Sequence, residues 1–348
     1  MTVSMGRRAF LTTAAGAAGA LGLTACARGT GGASQLALSA ALPKTVPATT
    51  SLVIAPITTE LALKASGKIG DLPFKVSSWA NLHAGPDVIQ AFRAQALDLA
   101  VNAGIPPLQA QSTGLPVKIV AVNLTRKPAY KFATAPGSRL TSVSQFRGKK
   151  LGFSQGQAQG VVLLRALAAA GLSAKDVNLV PLTSDQFLTA LEAGQVDVAP
   201  MGEPTLTEYL NGFAREGARA IYTPVIDRLT VLWAPVDVLE DEAKAAAIRA
   251  FIPFWARGLV WSYEHPAEWI QAYYVGNQHL STKAGELIVA SSSKPLFPES
   301  WDGAIAWEQE TANLLHAGGY DPKVDVSELF DRRFEPIAAA AVPATYRS

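Results

Sequence analysis

The sequence predicts an α/β protein of two similar lobes with a helical C-terminal extension. From Ser51 onward, short runs rich in β-branched residues alternate with helical patterns, which is typical of βα units on a mostly parallel sheet. A ten-residue pattern then recurs, in residues 91–100 and again in residues 190–199. Beyond residue 240 the strand-like runs stop, and apolar residues follow helical spacing.

Each lobe is predicted to contain strands and helices in the same order. The repeated pattern is A-[FL]-x-A-x-x-[LV]-D-[LV]-A, which reads as the end of a helix, a turn and a buried strand. In the first lobe we expect strands at 52–55, 74–78 and 97–102, and helices at 59–65 and 86–95. In the second we expect strands at 151–153, 177–182 and 196–199, and helices at 161–170 and 185–193.

The tail is predicted to contain four helices, at 241–263, 266–277, 282–291 and 300–317. Several of these helical patterns carry apolar faces rich in aromatic residues, and packing on a lobe is the default explanation for such a stripe. A partner surface is the alternative.

The N-terminus carries an export signal. Arg7 and Arg8 form a twin-arginine pair, and a short apolar run over residues 12–23 follows them. The run ends in Leu-Thr-Ala-Cys, which resembles the lipobox of bacterial lipoproteins and makes Cys26 the lipidation site. We therefore expect a twin-arginine lipoprotein signal peptide over 1–25 and a lipidated tether over 26–49. The chain is expected to be exported and anchored through Cys26 to the outer face of the cytoplasmic membrane.

Composition excludes several classes of protein. Without Arg7 and Arg8 the chain has 28 basic and 28 acidic side chains, so it offers no general attraction for nucleic acid. Cys26 is the only cysteine, which leaves no internal disulfide and no second thiol. The four histidines are scattered without metal-ligand spacing, so no metal site, catalytic residue or cofactor is predicted.

Two stretches carry a resemblance to a known family. Trp79, Gly85-Pro86, Leu97-Asp98 and residues 102–107 (NAGIPP) resemble the first lobe of aliphatic-sulfonate binding proteins. Residues 148–153 (GKKLGF), 163–167 (LLRAL), 194–197 (GQVD) and Glu203-Pro204 resemble the second lobe of the wider nitrate, sulfonate and taurine binding family, whose members are lipoproteins or periplasmic proteins serving ABC importers.

This resemblance implies a two-lobed type II periplasmic-binding-protein fold with the C-terminal helices on lobe one. Lobe one would span 50–125 plus 229–340, and lobe two 126–228. The implied function is capture of a small anion, an organosulfonate first, for an ABC permease by a monomeric protein. The binder could also take taurine, nitrate, bicarbonate or another small organic ligand. A sensor lipoprotein that binds the ligand for signalling is the alternative function. A cysteine-dependent enzyme of the same fold is disfavoured because the one cysteine is assigned to the lipid.

Several helix starts offer donors for such an anion. Unpaired N–H groups and the helix dipole at an N-terminus bind anions, and open α/β sheets gather these termini at the carboxyl ends of their strands. The same residue types are also ordinary helix caps. The predicted ligand-binding residues are Thr58, Thr59, Trp79, Gly85, Asn102, Gly104, Ser154, Gln155, Gln157, Ser184, Glu203 and Trp233.

For three of these residues the sequence leaves two possible roles. Glu203 could receive an ammonium group of a taurine-like ligand or form a salt bridge at the crossover. Trp79 and Trp233 could flank an organic tail or belong to the core. The sequence also departs from the family at Gly202, where an aromatic residue is common, and in a longer loop over 80–84. A glycine at position 202 would leave room for a bulkier ligand.

Overall fold

The computed structural model describes residues 34–55 and 57–348, and from Ser34 onward these form one compact unit. The twin-arginine signal, Cys26, Pro56 and the first part of the predicted tether lie outside the described residues. Within the described part of the chain, no helix is both long and apolar enough to cross a membrane.

The first sheet forms lobe one and has the strand order β2-β1-β3-β10-β4. Strands β1, β2 and β3 are parallel, and β10 lies antiparallel between β3 and β4. Its strands are β1 (Ser51–Ala55), β2 (Lys75–Trp79), β3 (Leu99–Ala103), β4 (Val117–Leu124) and β10 (Leu229–Pro235).

The second sheet forms lobe two and has the equivalent order β7-β6-β8-β5-β9. Here β5 is the antiparallel strand, between β8 and β9. In each lobe the antiparallel strand is the first one after the chain has crossed from the other lobe. Its strands are β5 (Tyr130–Thr134), β6 (Lys150–Phe153), β7 (Asn178–Pro181), β8 (Val198–Gly202) and β9 (Ala220–Ile221). The predicted two-lobed α/β fold is confirmed, while the proposed lobe boundaries remain a prediction.

The sequence repeat corresponds to a repeated structure. Asp98 accepts a hydrogen bond from Val53 N at 2.7 Å, and Asp197 accepts one from Lys150 N at 2.8 Å, so each aspartate ties its repeat to a neighbouring parallel strand, β1 or β6. The turn before each aspartate has a positive φ, 53° at Gln95 and 64° at the equivalent Gly194.

Helices cover both sheets and form the tail. Lobe one has α1 (Thr58–Ala65), α2 (Gly85–Arg93) and α3 (Ile105–Ser112). Lobe two has α4 (Ala158–Ala169), α5 (Phe187–Glu192) and α6 (Thr205–Phe213). The tail has α7 (Val236–Glu240), α8 (Glu242–Glu264), α9 (Pro266–Trp269), α10 (Thr282–Ser291), α11 (Asp302–Ala317) and α12 (Ile337–Ala340).

Two parts of the chain differ from the sequence prediction. The helix expected over 266–277 is α-helical only through Trp269 and continues as the π-helix Ile270–Val275. The tether expected over 26–49 is packed from Ser34 onward: Leu36 N donates to Glu240 O, and Leu38 and Leu42 lie against the core. The physical reason is the apolar Leu-x-Leu pattern, which is better buried than solvated.

Candidate functional site

The carboxyl ends of the strands in both lobes face one another along a boundary where the lobes touch. A Cβ on Gly85, at the start of α2, would lie 2.6 Å from Pro106 and 3.6 Å from the carbonyl oxygen of Gly156 in lobe two. A Cβ on Gly156 would overlap the amide of Gln109, at 2.2 Å from its Oε1. Glycine at these positions therefore permits the close approach of α2, α3 and the loop before α4.

Buried polar atoms without partners concentrate at this boundary. Among the described residues, five side chains have a buried atom of this kind, and four of these atoms lie here: Ser154 Oγ, Arg165 Nε, Glu308 Oε1 and Asp321 Oδ2. The fifth, Thr50 Oγ1, precedes β1 at the opposite end of that strand. Since nearly all buried polar groups in proteins are hydrogen-bonded, this concentration marks the boundary as a place where a ligand or water supplies the missing partners.

A buried glutamate and a half-buried aspartate lie near one arginine at the boundary. Glu308, on α11, is 2% exposed, and a Cβ on Gly104 at the start of α3 would lie 2.4 Å from its Oε2. Burial and the nearby Asp227 together raise the pKa of Glu308 to about 8, against the opposing effect of Arg165. Burial also raises the pKa of Asp227 to about 7, against the opposing effect of Arg165.

The lobe-two residues predicted for the site take different positions. Ser154 is 1% exposed with its hydroxyl unpartnered, whereas Gln155 is exposed and its Nε2 donates to Tyr320 O across the boundary at 3.2 Å. Gln157 precedes α4, and its Oε1 accepts from Ser184 N at 2.9 Å. Gln157 and Ser184, both predicted to bind the ligand, are therefore joined by a hydrogen bond between their two loops.

The lobe-one residues divide into two groups. Thr58 and Thr59 begin α1, and Gly85 and Gly104 lie at the starts of α2 and α3. Asn102 and Trp233 are instead bonded to one another: the indole Nε1 donates to the amide oxygen at 3.0 Å.

Asn102 and Trp233 serve the framework of lobe one. The Asn102 amide nitrogen donates to His83 O at 2.9 Å, and Trp233 is 0% exposed. Trp79 is half-buried, with its ring 6.1 Å from that of Phe251. The Trp233 ring has no face open to a ligand in this arrangement, and we exclude it from the candidate site.

The chain passes between the lobes in two crossovers, residues 125–129 and 222–228. A large cavity lies beside these crossovers, between lobe two and the tail. Its volume is about 730 Å³, and Gly202 and Glu203 line it together with Asp227 and Tyr130. Glu203 Oε2 accepts from Thr207 Oγ1 at 2.7 Å, and among the described residues it forms no ion pair. The salt bridge considered for Glu203 is therefore not formed here.

A second cavity, of about 510 Å³, contains three arginines that the sequence reasoning missed. We call it the arginine cavity; its lining is Thr125, Arg126, Arg165, Pro224, Val225, Ile226, Arg228 and Trp307. The one local signal was Arg165, a charged residue inside the apolar helical run of residues 161–167.

Comparison with known proteins finds a matching family and two bacterial relatives that share one description. The family described as "NMT1/THI5 like" matches residues 82–269, more than half of the chain. A "Putative aliphatic sulfonates-binding protein" of Escherichia coli is 32% identical over 127 residues, which cover 36% of this chain and 40% of that protein. A protein of the same description from Bacillus subtilis is 26% identical over 261 residues, covering 74% of this chain and 76% of the relative.

Solved structures confirm the fold. The periplasmic aliphatic sulphonate binding protein SsuA from Escherichia coli superimposes with a TM-score of 0.67 at 21% identity, covering 80% of this chain and 91% of that one. DszB in complex with biphenyl-2-sulfinic acid superimposes with a TM-score of 0.57 at 15% identity, covering 84% and 99%. DszB is described as a desulfurization enzyme, so the fold alone does not separate binding from catalysis.

Proposed function

Because the chain belongs to the NMT1/THI5-like family, we propose that it is the extracytoplasmic solute-binding component of an ABC importer and captures an alkanesulfonate or related organosulfur anion between its lobes. The sulfonate-binding names of its relatives support this ligand class. The protein acts by binding and release and carries out no reaction on its ligand.

The observation that carries this proposal is the buried, unpartnered hydroxyl of Ser154 at the lobe boundary. Ser154 Oγ is a donor in a fully buried position in lobe two, and the starts of α1, α2 and α3 supply N–H groups from lobe one. A sulfonate has three acceptor oxygens and stays charged at physiological pH, so it suits a set of neutral donors. Hydrogen bonds to a charged group are worth about 1.5–3 kcal/mol each.

The proposed contacts follow from where the predicted residues lie. Thr58, Thr59, Gly85 and Gly104 would bind the anion from lobe one, and Ser154, Gln157 and Ser184 from lobe two. The tail of the ligand would extend toward the 730 Å³ cavity, where Gly202 leaves the wall open and Glu203 could meet a positively charged group.

The cellular arrangement is proposed from the N-terminal sequence. Cys26 would carry the lipid anchor at the outer face of the cytoplasmic membrane, and the monomeric, ligand-loaded protein would dock on its permease. Replacing Cys26 by Ser should release the chain from the membrane fraction, and unchanged fractionation would contradict the anchor.

Ser154→Ala tests the ligand site directly. The hydroxyl has no partner within the protein, so its removal should leave the melting temperature unchanged or slightly higher, while alkanesulfonate affinity falls about tenfold, equal to about 1.4 kcal/mol. Isothermal titration calorimetry measures the affinity.

Thr50→Val is the matched control because Thr50 Oγ1 is also buried and unpartnered but lies away from the boundary. It should leave the affinity unchanged. Equal affinities in wild type and Ser154→Ala would exclude Ser154 from the site.

A further inference from the structure

The arginine cavity has a concentration of positive charge that the protein itself only partly neutralises. Arg165 is paired with Glu310 at 3.4 Å and donates to Trp307 O at 3.0 Å and Thr311 Oγ1 at 2.7 Å. Its guanidinium stacks on the Trp307 ring at 3.8 Å from the ring centre, which fixes its orientation.

The other two arginines of the cavity lack such partners. Among the described residues, neither Arg126 nor Arg228 forms an ion pair with a carboxylate, and no hydrogen bond from either guanidinium to the protein is present. Arg228 lies 5.7 Å from the centre of the Trp307 ring. Two positive charges therefore face the cavity without a counter-charge among its lining residues.

The remaining wall of the cavity is apolar. Pro224, Val225 and Ile226 supply it, and Thr125 adds a polar group at the crossover. A volume of about 510 Å³ is within the range of small-molecule sites and holds more than an inorganic ion. Arginine forks recognise flat oxyanionic groups by paired hydrogen bonds, so charge and shape both favour an organic anion.

The cavity also lies where the lobes are joined. Thr125 N donates to Arg228 O at 2.8 Å, and the Thr125 hydroxyl donates to Asp227 O, so the two crossovers are bonded to each other at the cavity wall. Arg165 comes from lobe two and Trp307 from the tail on lobe one. A molecule in the cavity would touch both crossovers and both lobes.

We propose that the arginine cavity is a second anion-binding site, selective for organic dianions with a compact apolar body. The unpaired guanidiniums of Arg126 and Arg228 would bind the two negative charges of the ligand. The apolar wall of Pro224, Val225 and Ile226 would contact its apolar part. The occupant bridges the two crossovers and thereby favours the arrangement in which the lobes touch. The cavity shares Arg165 with the lobe boundary, but its lining does not include Ser154, on which the proposed function depends.

Benzene-1,3-disulfonate is a suitable dianionic probe. Benzenesulfonate is its comparison, because it has the same benzene ring but only one negative charge. Calorimetric titration of the full chain should show the disulfonate binding at least tenfold more tightly than benzenesulfonate. Arg126→Gln combined with Arg228→Gln should weaken disulfonate binding at least tenfold. Excess ethanesulfonate, which would occupy the boundary site, should not displace the disulfonate.

Arg139→Gln combined with Arg215→Gln is the matched control, because it removes the same charge from two exposed arginines that do not line the cavity. This control should bind the disulfonate as wild type does, and thermal melts confirm that all variants fold. Equal binding by the Arg126/Arg228 variant, complete displacement by ethanesulfonate, or no disulfonate binding at all would each overturn the proposal. A separate ethanesulfonate titration of the same variant reports on the proposed function, since it should be unaffected.

Discussion

Glu308 lies in surroundings that strongly oppose its charge. Its carboxyl is buried between the start of α3 and the crossover, with Oε1 unpartnered and Asp227 among its neighbours. Arg165 is the opposing positive charge, but its guanidinium is already bonded to Trp307, Thr311 and Glu310. The carboxyl is therefore held in its neutral form up to about pH 8.

Glu308→Gln should change how stability depends on pH. The pKa of Glu308 is raised in the folded state from 4.5 to about 8, so the unfolded chain loses its proton first as pH rises. The stability contributed by the neutral carboxyl is full below pH 4.5 and is lost as pH rises towards 8. Wild type should thus lose more stability than the variant between pH 5 and pH 8, by at least about 1.4 kcal/mol, one pKa unit.

Urea unfolding at a series of pH values measures this difference. Glu286→Gln, at an exposed acid on α10, is the control and should follow wild type. Parallel curves for wild type and Glu308→Gln would mean that Glu308 is ionised in the folded protein at neutral pH.

At the residue scale, the sequence predicted the helix starts well but could not predict which polar side chains are satisfied internally. Asn102 lies near the carboxyl end of β3, as a ligand-binding residue would, yet its partners are 19 and 131 residues away. Glu308 and Asp227 meet Arg165 only because α11 lies against α4. Such pairings depend on tertiary packing and leave no local pattern in the sequence.

The element that repeats in both lobes is the helix–turn–strand unit ending in Asp98 or Asp197. Both carboxylates accept a backbone N–H from the neighbouring strand, but Asp98 also accepts from Lys244 Nζ at 2.7 Å. This extra contact joins β3 to the tail helix α8, and the second lobe has no equivalent helix.

Asp98→Ala should therefore destabilise the protein more than Asp197→Ala. A hydrogen bond to a charged group contributes about 1.5–3 kcal/mol, so we expect a loss of about 3 kcal/mol for Asp98→Ala and about 1.5 kcal/mol for Asp197→Ala. Urea unfolding gives both values. An equal or larger loss for Asp197→Ala would show that the contact with Lys244 adds nothing.

At the element scale, periodicity predicted the strands and most helices because burial of one face imposes a regular pattern. It did not distinguish the π-helix Ile270–Val275 from the α-helix that precedes it. The arginine cavity was also missed, because its residues come from four segments that meet only in the folded chain.

The whole molecule consists of two equivalent sheets joined by two crossovers, with the starts of several helices facing one boundary. Proteins of this architecture bind by rotation of one lobe against the other around the crossovers. The close contacts of Gly85, Gln109 and Gly156 indicate that the structure has its lobes together at this boundary. Ligand binding should stabilise this arrangement.

The central claim is that a sulfonate binds between the lobes, and a thermal-shift panel tests it most directly. The panel comprises C1 to C8 alkanesulfonates, taurine, nitrate and bicarbonate. A ligand that binds only the folded state adds about 2.7 kcal/mol at one hundred times its Kd, which raises Tm by several degrees. We predict that alkanesulfonates raise Tm and that nitrate and bicarbonate do not. No shift with any sulfonate, or a shift with nitrate or bicarbonate alone, would contradict the proposed ligand.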